Sequence, residues 1–370
     1  MAFPADYALL RKIPIDATAV TGSNNAFTGL ITEAVFKLSK TFIFTNTDNG
    51  GGDVRFSTDE AGTNQIALDV VSWDTSGETC QVWYLADGVD SVSPTDLYIW
   101  GDNTGDSQPA VGAAFGRNAV WVNYAGVWHL GEDPSGSAPQ MLDSTGNGNN
   151  GTSVGSMVSG DSVAGQIGNA LDFDGVTQNI ACGSGLPQMG TSSFTHSVWI
   201  KTSATGTKVA SGRSGGNDHW LGVQSNKARF SAAGAGVNST TSVNNGAFHY
   251  ISCAKSGTAA RVRVDGVNEA SGTFAANLLP TGGFAIGEFG TSGFNINAVI
   301  DEVRFSLTDI SDDYNTTEYS NQNDVASFYL EPVDVGGGGI SGTITQTAQS
   351  FTQSLSGSVV NSYTGTITQN

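Results

Sequence analysis

The chain has 370 residues, of which 49 are Gly, 38% are hydrophobic and only 13% are charged. This length suits two or three domains, and the composition favours short strands joined by tight turns over helices. The formal net charge of −19, from 34 acids against 15 Lys and Arg, repels phosphates and so excludes a general nucleic-acid binder.

The cysteines and the hydropathy pattern indicate in which cellular compartment the protein is made. Cys80, Cys182 and Cys253 lie far apart without a CxxC pair, so we expect buried free thiols. The first residues lack the basic and apolar segments of a signal peptide, and no run of about 18 apolar residues would span a membrane. We therefore expect cytoplasmic synthesis and, for an external role, release as part of a particle.

Residues 1–115 predict a small β-sandwich. Strands are expected at residues 7–15, 80–85 and 97–100, and a Gly-rich turn precedes the alternating segment 53–56. The motifs GDVRF and DLYIWG in this region resemble an uncharacterised β-domain of bacterial and phage proteins. That domain often stands directly before a laminin-G-like jelly roll, and Trp100 departs from it because the family more often has Tyr there.

Residues 116–332 predict a larger sandwich of about 200 residues. Short strands recur between turn-forming segments, and Arg261-Val262-Arg263-Val264 alternates into the hairpin signal Asp265-Gly266. Ser311 is expected to cap a helix that runs to Gln322, with two acids in its first turn. The other expected strands are at residues 194–201, 248–253 and 298–305.

Five motifs in this region, in the same order, resemble the laminin-G-like, concanavalin-A-like jelly-roll family. They are DSTGNGNNG at 143–151, ALDFDG at 170–175, FTHSVWIK at 194–201, VDG at 264–266 and IDEVR at 300–304. The resemblance implies a jelly roll and a structural Ca²⁺ ion near the first motif, with Asp143, Asn147 and Asp301 as ligands. The alternative for this loop is an Asx turn without metal.

Residues 333–370 form the expected C-terminal tail. Four glycines at 336–339 read as a flexible linker, and the segment SGTITQ at 341–346 returns as TGTITQ at 364–369. Its last 31 residues have no charged side chain and are rich in β-branched residues, which suits strand pairing and a homo-oligomer. The alternative is a disordered tail.

Catalytic signatures are missing from the sequence. Glycoside hydrolases of this broad class hold two carboxylates on one face of a cleft, whereas Asp301 and Glu302 are adjacent and predicted to point to opposite faces, Asp301 inward. None of the four histidines lies beside a Gly-x-Ser-x-Gly motif; they are His129, His196, His219 and His249. We therefore predict no catalytic residues.

A sugar site is predicted at Asn217, Asp218, His219 and Trp220. These residues combine an aromatic platform with amide and carboxylate groups at an expected loop-to-strand junction. The alternative is that Trp220 begins a core strand, followed by Leu221 and Val223.

The sequence thus predicts an all-β protein with a small N-terminal sandwich, a concanavalin A-like jelly roll and a short β-rich tail. The favoured function is a non-enzymatic bacteriophage virion protein (a fibre, spike or decoration subunit) that binds surface glycans and other virion proteins. Its expected place is the virion surface, or otherwise outside the cell. The alternatives are a carbohydrate-binding bacterial adhesin and a polysaccharide-degrading enzyme.

Overall fold

A computed structural model describes residues 3–216, 218–274, 277–290 and 294–335 of the chain. Met1–Val335 form one compact unit, and Gly336–Asn370 form a second unit that lies outside the described residues. The predicted linker and repeat-containing tail therefore lie outside the described residues, apart from residues 333–335. The fold is all-β, as predicted. None of the described helices is long and apolar enough to cross a membrane.

The first part of the chain forms a small sandwich of short antiparallel strands. The strands are β1 Ala8–Pro14, β2 Ser23–Asn24, β3 Phe27–Thr32, β4 Arg55–Ser57, β5 Gln65–Ile66, β6 Leu68–Asp74, β7 Thr79–Ala86, β8 Val89–Asp90 and β9 Asp96–Gly101. They form sheets with the orders β1-β9-β4-β5 and β3-β7-β6, and β2 pairs with β8. The helical segments are α1 Lys40–Thr45 and the 3-10 turns Ala17–Ala19, Glu33–Val35 and Lys37–Ser39.

Alternation along β7 decides which of its side chains form the core of this sandwich. Cys80, Val82 and Tyr84 are buried in the sandwich core, whereas Trp83 points the other way and joins a different apolar cluster. The predicted strands at 80–85 and 97–100 are confirmed, each extended by one residue at either end.

The second part of the chain folds into two larger packed sheets. Its strands are β10 Tyr124–Trp128, β11 Thr152–Val154, β12 Ser162–Ala164, β13 Asn169–Asp174, β14 Asn179–Ala181, β15 Phe194–Thr202, β16 Thr207–Arg213, β17 His219–Gln224, β18 Lys227–Ala232, β19 Ala235–Ser242, β20 Phe248–Ser256, β21 Ala259–Val264, β22 Val267–Thr273, β23 Phe284–Ile286 and β24 Asn297–Ser306. An eight-stranded sheet has the order β12-β13-β24-β15-β20-β21-β22, with β10 also paired to β24. A seven-stranded sheet has the order β11-β14-β23-β16-β17-β18-β19.

The helices of this part lie before β10, between β11 and β12, and after β24. They are α2 Arg117–Val120, the 3-10 turn Ser159–Asp161, α3 Asp312–Asn323 and α4 Val325–Phe328. The predicted cap of α3 is confirmed, because the Ser311 side chain accepts a hydrogen bond from the Tyr314 N–H at 3.1 Å. The three cysteines are buried free thiols, also as predicted.

The chain returns from the second sandwich to the first through α3 and the segment after it. Asn321 on α3 accepts a hydrogen bond from the Leu30 N–H at 2.6 Å and donates to the Leu30 carbonyl at 3.1 Å. Val333 then pairs with Lys12 on β1 in an antiparallel bridge. The last described residues therefore belong with the first sandwich.

The outer face of the eight-stranded sheet packs against the first sandwich. Trp199 on β15 and Tyr250 on β20, each 1% exposed, share an apolar cluster with Leu30 and Trp83 of the first sandwich and with Trp121. Burial of such large aromatic side chains is a major source of interface stability. We call this eight-stranded sheet the covered sheet.

The outer face of the seven-stranded sheet is different. On β18 and β19, Arg229 and Asn238 are partly exposed, and Gly236 and Thr240 are exposed. We call this sheet the open sheet. Of the two outer faces of the jelly roll, the outer face of the open sheet is the one that remains accessible to a partner.

Candidate functional site

The four residues predicted to bind sugar lie in different environments. Asn217 is outside the described residues, and Asp218 is partly exposed just before β17. His219 is 1% exposed and lies in the core, 5.3 Å and 5.4 Å between ring centroids from two phenylalanines. Trp220 points to the opposite side, onto the outer face of the open sheet, because side chains alternate along a strand. His219 is therefore not available to a ligand on the surface.

Trp220 is the centre of a row of side chains that crosses the open sheet. The Arg229 guanidinium lies 5.7 Å from the centroid of the Trp220 ring and donates a hydrogen bond to Asn238 Oδ1 at 2.9 Å. On the other side, the Phe289 ring lies 6.2 Å from the Trp220 ring and contacts Phe294, which is 37% exposed. We call these five residues the aromatic–arginine row. It joins aromatic surface to hydrogen-bonding groups, although Trp220 itself is only 8% exposed.

Two glycines let this row lie close to the sheet. A Cβ atom at Gly212 would lie 2.5 Å from the Cβ atom of Trp220, its neighbour across the β16–β17 pair. A Cβ atom at Gly236 would clash with the guanidinium of Arg229. The sequence thus positions Trp220 and Arg229 by leaving the adjacent strands without side chains at these points.

The predicted calcium loop is closed by hydrogen bonds within the protein. The Asp143 carboxylate accepts from the backbone N–H groups of Val127 (3.1 Å), Thr145 (3.0 Å) and Asn149 (2.8 Å), and from the Thr145 hydroxyl at 2.8 Å. This is an Asx turn, the metal-free alternative for this loop. These donors use lone pairs of Asp143 that a calcium ion would need.

The other two predicted calcium ligands have separate partners. Asn147 Nδ2 donates to the carbonyls of Tyr124 (3.1 Å) and Ala125 (3.2 Å). Asp301 on β24 is buried, and its Oδ2 atom accepts from the Ile167 N–H at 2.8 Å. Within the described ranges, no group of three or more His, Cys, Asp and Glu side chains is arranged to hold a metal ion. Calcium binding stays a prediction.

The expected orientation of the Asp301–Glu302 pair is wrong. Glu302 has a φ of +49°, and the β15–β24 register shifts between Ser197 and Trp199. This is a β-bulge, in which an extra residue on one strand changes the alternation. Asp301 pairs with Trp199, whose ring lies in the interface cluster, so both carboxylates lie on the outer face of the covered sheet.

A buried ionic network joins this bulge to the first sandwich. His129 Nδ1 lies 2.9 Å from both carboxylate oxygens of Glu302, and its Nε2 lies 3.4 Å from Asp69 Oδ2 on β6. Arg304 donates to Glu302 at 2.9 Å and to Glu318 on α3 at 2.9 Å. We call these five residues the ionic network.

The charge states in this region follow from the contacts. Burial alone would lower the pKa of His129, but the Glu302 and Asp69 carboxylates raise it to about 10, so the imidazole is protonated at neutral pH. Burial would raise the pKa of Glu302, yet His129 and Arg304 hold it below its usual value. Burial and the adjacent Glu302 charge raise the pKa of Asp301 well above its usual value.

A cleft of about 1080 Å³ lies between the two sandwiches, above the ionic network. Asp69 and His129 form part of its wall. Other polar side chains of the wall are Arg117 on α2, Glu132 in the chain after β10 and Gln322 at the end of α3. The cleft is thus built by residues that are distant in sequence.

A family model described as the concanavalin A-like lectin/glucanases superfamily matches residues 174–313. The second sandwich therefore contains a concanavalin A-like domain at residues 174–313. The matched segment includes the strands that carry the aromatic–arginine row and the bulge at Asp301 and Glu302. No curated protein matches the chain.

Several solved structures are similar to about half of the chain at low identity. Domain 4 of AbnA, a GH43 extracellular arabinanase from Geobacillus stearothermophilus, is 20% identical with a TM-score of 0.40, covering 52% of this chain and 97% of that one. The binding domain of Paraclostridial Mosquitocidal Protein 1 is 10% identical with a TM-score of 0.39, covering 54% and 52%. The binding domain of botulinum neurotoxin serotype D/C VPI 5993 is 10% identical with a TM-score of 0.42, again covering 54% and 52%. This chain therefore spans about half the length of each toxin domain.

Sequence reasoning missed the cleft and the ionic network, both of which lie beside the concanavalin A-like domain. Arg117 and Glu132 stand in loop-like segments without a motif, and His129 shows no partner near it in sequence. Their partners lie on other elements, up to 173 positions away for the His129–Glu302 contact. One usable signal was the IDEVR motif, because two acids and a base within a predicted buried strand require charged partners.

Proposed function

We propose that this protein is a non-enzymatic, glycan-binding component of a bacteriophage virion, and that its concanavalin A-like domain makes contact through the open sheet. The observation that carries the proposal is the asymmetry of the jelly roll. The first sandwich buries the outer face of the covered sheet, so a ligand or host surface meets the open sheet. The aromatic–arginine row is the sugar-compatible chemistry on that face.

The absence of catalysis is part of this proposal. His129 is already protonated at neutral pH and so lacks the free lone pair that a general base requires. The carboxylate oxygens of Glu302 are engaged by His129 and Arg304, and Asp301 is fully buried beside it. These groups stabilise the junction between the sandwiches, and the carboxylates of Asp301 and Glu302 are buried away from a substrate.

The placement in a virion rests on the sequence. The first sandwich carries the motifs that resemble a domain of bacterial and phage proteins, and the surface is strongly acidic. Many copies on one particle would make weak sugar binding effective through avidity. Mass spectrometry of purified particles tests this part: the protein should be present, and its absence would contradict the virion role.

The open-sheet site is tested on a glycan array with Trp220→Ala and Arg229→Gln. Binding is expected to fall about five- to thirtyfold in either variant, because each removes a contact with the ligand worth about 1–2 kcal/mol. Arg11→Gln is the matched control, since Arg11 lies 3.8 Å from the Phe42 ring on the first sandwich and offers the same type of pair elsewhere. If Arg11→Gln loses binding while both row variants retain it, the site is not on the open sheet.

A further inference from the structure

We propose that the cleft between the two sandwiches is a second binding site, and that it takes a neutral, hydroxyl-rich ligand such as a short oligosaccharide. Its volume of about 1080 Å³ lies at the upper end of small-molecule sites, which run to roughly 1,000 Å³. The site uses none of the aromatic–arginine row. It therefore stands or falls independently of the open-sheet proposal.

Three residues that line the cleft each carry a buried polar atom that has no hydrogen-bond partner among the described residues. They are Arg117 Nε, Glu132 Oε2 and Gln322 Nε2. Gln322 is only 2% exposed, and its other amide atom, Oε1, already accepts from the Trp199 indole at 2.6 Å. Leaving a buried donor or acceptor unpaired is energetically costly, so such groups indicate that something supplies their partners.

The mixture of these groups defines the chemistry of the ligand. Arg117 and Gln322 offer donors, whereas Glu132 offers a charged acceptor. A hydroxyl group is both a donor and an acceptor, so a diol can satisfy donor and acceptor groups together. The remaining wall includes aliphatic side chains such as Val70 and Ile167, which suit the C–H faces of a sugar ring.

The charge of the wall excludes anionic ligands. Asp69 is already matched by the protonated His129. The other charged residues of the described lining are the acids Glu33, Glu132 and Asp324 against the single base Arg117. A carboxylate or sulfate on the ligand would meet net repulsion in a partly enclosed space, where charges are poorly screened. A neutral saccharide avoids this cost.

Isothermal titration of the full chain tests the site, with cellotriose, triacetylchitotriose and mannotriose as neutral probes and trigalacturonic acid as the anionic probe. We expect a neutral trisaccharide to bind at least tenfold more tightly than trigalacturonic acid. Glu132→Gln should weaken that binding about tenfold, because it replaces a charged acceptor by a neutral amide. Glu132→Gln can still accept from the Leu142 N–H, as Glu132 Oε1 does at 2.9 Å, which preserves the local fold.

Two control variants distinguish binding in the cleft from binding elsewhere on the protein. Glu60→Gln removes an exposed acid of the first sandwich and should leave trisaccharide binding unchanged. Trp220→Ala should also leave it unchanged. The cleft site is overturned if no neutral trisaccharide binds, if Glu132→Gln and Arg117→Gln both bind it normally, or if Trp220→Ala abolishes the binding. Equal binding of trigalacturonic acid overturns the assigned ligand class.

Discussion

Two histidines without an acidic partner lie in the core of the jelly roll. His196 Nε2 contacts the Ser211 hydroxyl at 2.7 Å, and neither ring nitrogen of His219 has a partner among the described residues. Burial, with a smaller contribution from Arg213, lowers the pKa of His219 to about 3. Burial likewise lowers the pKa of His196. Both imidazoles are therefore neutral in the folded protein.

His219 makes the folded state sensitive to acid. Its folded pKa is about 3, and an unfolded His has a pKa of about 6.5, so the unfolded state binds more protons between these values. The stability is complete above the unfolded pKa and falls as the pH drops from about 6.5 towards 3. Between pH 8 and pH 5, the wild-type protein should lose about 2 kcal/mol of unfolding free energy through His219. His219→Phe should not show this loss, and urea unfolding at the two pH values measures it.

A neighbouring aromatic residue provides the control for this pH dependence. Phe194 contacts the His219 ring at 5.3 Å but does not titrate. Phe194→Leu should lower the free energy of unfolding equally at both pH values. An unchanged difference between pH 8 and pH 5 in His219→Phe would refute the role of His219.

At the scale of elements, the loop between β10 and β11 depends on one carboxylate. Asp143→Ala leaves the N–H groups of Val127, Thr145 and Asn149 without their acceptor. Since each buried unpaired donor costs about 1–3 kcal/mol, we expect a loss of about 3 kcal/mol in unfolding free energy. Asp133→Ala is the control, because Asp133 forms a similar turn with Ser135 in an exposed loop, and it should change stability little.

The same pair of variants tests calcium. If calcium binds at this loop, millimolar calcium will raise the melting temperature of EDTA-stripped wild type and of Asp133→Ala, but not of Asp143→Ala. A wild-type protein whose melting temperature and titration heat do not respond to calcium would contradict a calcium site in this loop.

Strands could be predicted where apolar and polar residues alternate along one segment of the sequence. The second sandwich contains one strand pair that this pattern predicts correctly and one strand on which it fails. The period-two pattern of Arg261-Val262-Arg263-Val264 with Asp265-Gly266 correctly predicts a hairpin, in which both turn residues have positive φ. The same alternation failed at Glu302, since a bulge depends on the register with another strand and leaves no local pattern.

Side-chain orientation relative to the first sandwich was also beyond the sequence. Trp199 and Trp220 both lie on outer faces of the jelly roll, yet Trp199 is buried by the other sandwich and Trp220 by Arg229 and its aromatic neighbours. Alternation assigns a residue to a face, but it does not say what covers that face. For this reason the sugar site on the strand of Trp220 stays a prediction, and the cleft was missed.

At the scale of the whole molecule, the ionic network makes the two sandwiches interdependent. Arg304 is 1% exposed, binds Glu302 and Glu318, and lies 4.0 Å from the Trp83 ring of the first sandwich. Removing one partner of a buried ion pair leaves the other charges uncompensated, at a cost of about 3–5 kcal/mol. The contact area includes several fully buried aromatic rings, so we expect residues 3–335 to unfold in a single transition.

Calorimetry and near-UV circular dichroism of Arg304→Ala measure this coupling. The variant should lose about 3–5 kcal/mol and show separate transitions for the two sandwiches, because the network that joins them carries unpaired acids. Arg261→Ala on β21 of the same sheet is the matched control: its ion pairs with Asp309 and Asp312 are partly exposed, so the loss should stay below about 1 kcal/mol and the transition single. Two transitions in the wild type would contradict interdependence. Because both sandwiches form the walls of the cleft, Arg304→Ala should also weaken trisaccharide binding there while glycan binding by the open sheet persists.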